Sequence, residues 1–135
     1  MTDFFEMNLN QIQPSQLYIS QLKLDAINKE FNRNKKETLG IIPIKELEGE
    51  IIFTDGYTRA FATHLAKYNT IFVEWETENL DWEMYSICIQ WCKDEGISRI
   101  ADLNNRVISH NEYEILWYKR CSNLHKDLIN KRKNE

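Results

Sequence analysis

The run Ile51-Ile52-Phe53-Thr54-Asp55-Gly56-Tyr57-Thr58-Arg59-Ala60-Phe61-Ala62-Thr63-His64-Leu65 constrains this chain more than any other stretch. Three apolar, β-favouring residues lead into Thr-Asp-Gly. Tyr57, Phe61, Leu65 and Tyr68 then recur at helical spacing, so the backbone must pass from strand to helix within about two residues. At a helix start several backbone N–H groups lack intrahelical partners and the macrodipole is positive, which makes such a junction a seat for an anion. Arg59 stands beside it, with a planar guanidinium able to take two phosphate or carboxylate oxygens at once. The same residues also admit a plainer reading, in which Asp55 caps the helix through the Thr58 amide, Arg59 pairs with a nearby acid, and Gly56 only permits the turn.

The stretch from Ile12 to Trp75, about half of the chain, adds order and spacing. Ile12-Gln13-Pro14-Ser15-Gln16-Leu17 reads as an opening strand and turn, Leu22 to Phe31 as a helix, and Ile42-Pro43-Ile44 as a strand. Glu48-Gly49-Glu50 follows as a tight turn, and Ile71-Phe72-Val73-Glu74-Trp75 is a last strand. In this order the chain resembles the ParB/sulfiredoxin superfamily, and Asp55-Gly56-Tyr57-Thr58-Arg59 sits where partition proteins carry Gly-Glu-His-Arg and sulfiredoxins carry Gly-Cys-His-Arg.

The resemblance implies an α+β fold, a small mixed β-sheet with two helices, and a nucleotide phosphate held at Asp55, Gly56, Tyr57, Thr58 and Arg59, with magnesium as a possible companion. Tyr57 stands where sulfiredoxins carry their nucleophile, and a phenol titrating near pH 10 does not replace a thiolate. Thr58 supplies a hydroxyl in place of the family histidine. Kinases of the superfamily need a carboxylate base, and Gln11 to Gln21 contains no acid. The implied ligand is a phosphorylated small molecule, with no catalytic residue assigned; phosphoryl transfer would rest on Asp55 as a magnesium ligand.

Around that core the chain reads as residues 8–78 forming the ParB/sulfiredoxin-like domain and residues 79–135 forming an α-helical extension packed on it. Residues 1 to 10 show no period and read as an irregular start. Leu17, Leu22, Leu24, Ile27 and Phe31 mark the first amphipathic helix, and Asn32 to Thr38 a polar loop. Pro43 lacks a donor, so its strand should lie at an edge or begin there. The helix from Tyr57 should run to Tyr68 and stop at Asn69. Asp81 can cap a helix ending at Gly96, Ser98 begins a short one, and Asn111 begins a third through Tyr113, Leu116, Trp117, Cys121, Leu124 and Leu128. Three of the four tryptophans lie on this half, so these helices need a partner surface, either the sheet or a protein partner.

Net charge of -4 argues against a dedicated nucleic-acid binder, although Lys119, Arg120, Lys126, Lys131, Arg132 and Lys133 crowd the end against Asp127 and Glu135. Glu74, Glu76, Glu78, Asp81 and Glu83 form an acidic run. Apolar runs of four or five residues fall far below the roughly 20 needed to span a bilayer, and the first residues lack a basic leader, so a cytoplasmic location is expected. Cys88 and Cys92, and Cys121 and His125, are each four apart on helices and would share a face. Their apolar surroundings favour reduced core thiols over a metal site. His64 and His110 read as surface histidines, Phe53 and Phe72 as core, and Tyr57 as a ligand contact.

Overall fold

The structure, a computed structural model, describes residues 3–134. The fold is α+β. Its main sheet is mixed and four-stranded, in the order β1 (Phe5–Asn8), β5 (Thr70–Trp75), β3 (Ile42–Leu47), β4 (Glu50–Phe53). β3 and β5 are parallel, and the two outer pairs are antiparallel. Glu48 and Gly49, with φ of 53° and 83°, form the two-residue turn of the β3–β4 hairpin, the geometry that matches strand twist.

Alternation sets the faces. Ile42, Ile44, Phe53, Ile71 and Val73 are buried with Leu24 of α1 (Gln21–Glu30) and Ala60 and Phe61 of α2 (Tyr57–Leu65) in one core. On the other face, α3 (Trp82–Asp94) runs beside the hairpin, where Lys45 lies 4.9 Å from the Trp82 ring centre and Lys93 pairs with Glu50. A continuous C-terminal helix follows, made of α4 (His110–Tyr113), a π turn (Glu114–Tyr118) and α5 (Lys119–Lys133).

The extension is stitched into the first half. β2 (Ile19–Ser20) pairs in parallel with β6 (Val107–Ile108), the Ile19 amide donates to the Arg106 carbonyl at 3.0 Å, and the buried Gln13 amide group donates to the Ile97 carbonyl at 2.9 Å. Arg132 forks onto Asp81 at 3.0 and 2.8 Å and reaches Glu83 at 2.9 Å, so the exposed basic end meets the acidic run at the surface.

Several expectations need correction. Phe5 to Asn8 form an edge strand rather than an irregular start, because β5 offers them a full antiparallel register; residues 1 and 2, like Glu135, lie outside the described residues. Ile12 to Leu17 form no strand of their own, and Gln13 makes a single parallel bridge to Ile52. Leu22 is exposed, since Ser20 starts α1 in a phase that turns Leu24 inward. The Asn32 to Thr38 loop closes into a short 3-10 turn, Lys36–Leu39.

Pro43 is second in an interior strand. Its carbonyl accepts from Thr54 at 3.3 Å, so its missing donor faces the side where β4 has already ended at Phe53. α2 stops at Leu65 because Lys67, not Asn69, takes the left-handed conformation, with φ of 70°. Phe72 is half-buried on the outer face against Phe4, the alternation that buries Ile71 and Val73 having turned it outward. The last helix begins at His110, capped by Ser109, and its π turn rotates Leu116 out while Tyr113 and Trp117 stay buried.

Candidate functional site

The turn between β4 and α2 is held from behind. The Thr54 carbonyl accepts from the Tyr85 hydroxyl at 2.7 Å, and its own hydroxyl donates to Glu76 at 2.8 Å. Asp55 Oδ1 accepts from the Gly56 amide at 2.7 Å, so Asp55 braces the turn and does not cap Thr58. Gly56 is itself the N-cap at φ 76°, a conformation open to glycine, and it brings no side chain to the helix start. The Gly56 carbonyl takes the Ala60 amide at 2.9 Å. The amides of Tyr57, Thr58 and Arg59 have no acceptor among the described residues.

Asp55, Gly56, Tyr57, Thr58 and Arg59 all border one open cavity of about 350 Å³, within the size range of small-ligand sites. Arg59 makes no ion pair among the described residues. Its Nη1 donates to the Leu39 carbonyl at 3.3 Å, and its Nη2 lies back over Gly56, 3.0 Å from where a Cβ would stand. The guanidinium is thus half-buried and aimed along the cavity wall with donors to spare.

Tyr57 has its hydroxyl tied into the core. Its ring is buried, its hydroxyl donates to the Phe53 carbonyl at 2.7 Å and meets Ser15, and burial pushes its proton affinity well above that of a free phenol. Tyr57 nonetheless borders the cavity, and its amide has no acceptor among the described residues.

The far wall is what the sequence hid. Lys23 of α1 reaches the Tyr118 hydroxyl and lies 5.2 Å from the Tyr113 ring centre, placing a second cation on the cavity's rim. Gln16, buried, donates to the Tyr113 hydroxyl and the Tyr18 carbonyl, both at 2.8 Å. Asp55 is the only acid on the cavity's wall among the described residues, so a magnesium ion would take one carboxylate and rely on phosphate oxygens, an arrangement that ion accepts.

A second cavity of about 280 Å³ shares Gln16, Asp55 and Tyr57 with the first and continues between α3 and the C-terminal helix. His64 is half-buried against Phe61 with Asn104 at 3.2 Å from its ring nitrogen, and His110 sits between Ser20 and Glu114 at 2.9 and 3.2 Å; neither borders the first cavity. Among the described residues, no three His, Cys, Asp or Glu side chains gather as a metal site, and no helix is long and apolar enough to cross a membrane.

No family model and no curated protein matches the sequence. Among solved structures, protein Atu1540 from Agrobacterium tumefaciens is similar over 70% of this chain and 48% of its own, with 12% identity and a TM-score of 0.45. The chain thus spans about half the length of that protein.

Proposed function

We propose that the chain binds a nucleotide or another phosphorylated small molecule in the cavity at the start of α2, as the resemblance to the ParB/sulfiredoxin superfamily implies. One observation carries this reading: three acceptor-free amides at Tyr57, Thr58 and Arg59 open, with the Arg59 and Lys23 cations, onto one 350 Å³ cavity. The amides and the Thr58 hydroxyl receive phosphate oxygens, and the two cations neutralise their charge.

Calorimetric titration with nucleoside triphosphates, with and without magnesium, tests the reading. Arg59→Ala should cost about 2–4 kcal/mol of affinity if its hydrogen bonds to phosphate are shielded from water. Equal affinity in wild type and Arg59→Ala removes the site. Phosphate release by wild type but not by Asp55→Asn would extend binding to hydrolysis.

A second reading, a protein-interaction module, is favoured by Ile115 and Leu116, 64% and 41% exposed beside the half-buried Trp91. Trp117 and Trp91 pack on each other, so the docking face would be these aliphatic residues more than the tryptophans. Sedimentation of a monomer unchanged by Ile115→Glu would count against self-association through that face.

A further inference from the structure

Cys88 and Cys121 lie outside the proposed phosphate seat, on α3 and α5, which pack against each other. Both border the 280 Å³ cavity, Cys88 buried and Cys121 half-buried. Cys92, one turn along α3, is fully buried and is not part of that wall. The helices are held close there: the Trp91 and Trp117 rings meet edge to face at 6.3 Å, and the Arg120 guanidinium covers Trp91 at 4.0 Å.

The two thiols differ in character. The neighbouring Cys121 sulfur, with burial, pushes the Cys88 thiol up, whereas the hydrogen bond from Cys88, helped by Arg120, holds Cys121 below the ordinary thiol range. Cys121, the more open of the two, meets whatever enters the shared cavity first and is the attacking group, and Cys88, buried on the wall of the same cavity, is the resolving one.

We propose that Cys88 and Cys121 form a reversible disulfide that pins α3 to the C-terminal helix, with a hydroperoxide entering their shared cavity as the oxidant. The Cys121 thiolate attacks a peroxide oxygen; the S–O bond forms, the O–O bond breaks, and hydroxide leaves to be protonated as water. Cys88 then attacks the sulfenic sulfur; the S–S bond forms, the S–O bond breaks, and the departing hydroxide takes the Cys88 proton as a second water. Two thiols are oxidised by one electron each, and one hydrogen peroxide is reduced by two. A small dithiol reverses the bond by exchange.

The test treats the full chain with hydrogen peroxide, blocks remaining thiols, and maps a chymotryptic digest by mass spectrometry; cleavage after Trp91 separates Cys88 from Cys92. The expected result is a Cys88–Cys121 cross-link that dithiothreitol removes, with free thiols falling from three to one. The cross-link should persist in Cys92→Ser, and in Cys88→Ser a dimedone adduct should appear on Cys121. A cross-link to Cys92, bonds only between molecules, or Cys121 unmodified at peroxide levels that oxidise Cys92 would overturn it. The proposal stands independently of phosphate binding.

Discussion

The Tyr57 hydroxyl donates to the main-chain carbonyl of Phe53, 2.7 Å away and four residues back across the turn. This bond, with the contact to Ser15, ties the first turn of α2 to the end of β4 inside the core. Tyr57→Phe should therefore destabilise the chain by about 1–3 kcal/mol, because it leaves buried partners unpaired. Its affinity for phosphorylated ligands should stay at the wild-type value, since the phenol turns away from the seat. Urea denaturation and calorimetry separate the two effects.

Two glycines at similar φ should respond differently to alanine. At Gly49, φ 83°, a Cβ meets nothing within 4 Å, so Gly49→Ala should cost only the left-handed penalty of about 1–2 kcal/mol. At Gly56, φ 76°, it would meet Ile42 Cγ2 and Arg59 Nη2 at 3.0 Å each. Gly56→Ala should cost about 2–4 kcal/mol and displace the guanidinium. Comparing denaturation midpoints of the two variants checks the difference.

Alkali should weaken the fold through Tyr85. Burial first, then the charges of Asp55 and Glu76, push its phenol up to about 12 in the folded chain. The unfolded chain gives up that proton first, near pH 10, so stability is present below that value and declines as pH rises towards about 12. Tyr85→Phe should flatten the decline, at the cost of the bond to the Thr54 carbonyl. Denaturation at stepped alkaline pH, followed by phenolate absorbance, measures both.

Acid should act at the other end of α3. The hydrogen bonds from Arg132, with the Met84 amide assisting against burial, hold the Asp81 carboxyl below its ordinary value of 3.8. The unfolded chain takes up this proton first, so the contribution is present above about pH 4 and fades as pH falls through the folded value. Because the pair stands largely in solvent, Arg132→Gln should lower the urea midpoint only slightly at neutral pH, and the gap from wild type should close in acid. Urea midpoints at about pH 7 and about pH 2 test this.

What the sequence made legible were the local features. The Glu48-Gly49 turn, the apolar alternation of β3 and β5, and the Thr-Asp-Gly passage into α2 are written in neighbouring residues, and the structure places them there. Lys23, Gln16 and Tyr113 are not legible as cavity residues, because only the packing of α1 against both α2 and α4 brings them to the same opening. β1 leaves little trace in the sequence, because Phe5 to Asn8 alternate poorly and acquire strand geometry only from β5. The exposure of Leu116 is not written in the helical period, because a π turn leaves no periodic trace in so short a stretch. The charge complementarity of Asp81 and Glu83 with Arg132 was visible as two opposite blocks, but nothing local said they would meet.

Gln13 bonds a carbonyl 84 positions further along, and Ile19 leans on Arg106 in the same way. Such long-range closures make assembly slow, since a large loop of backbone freedom must be lost before either bond is gained. During synthesis Gln13 and Ile19 lack these partners until Ile97 and Arg106 have left the ribosome, which couples the second half of the chain to the first as it matures.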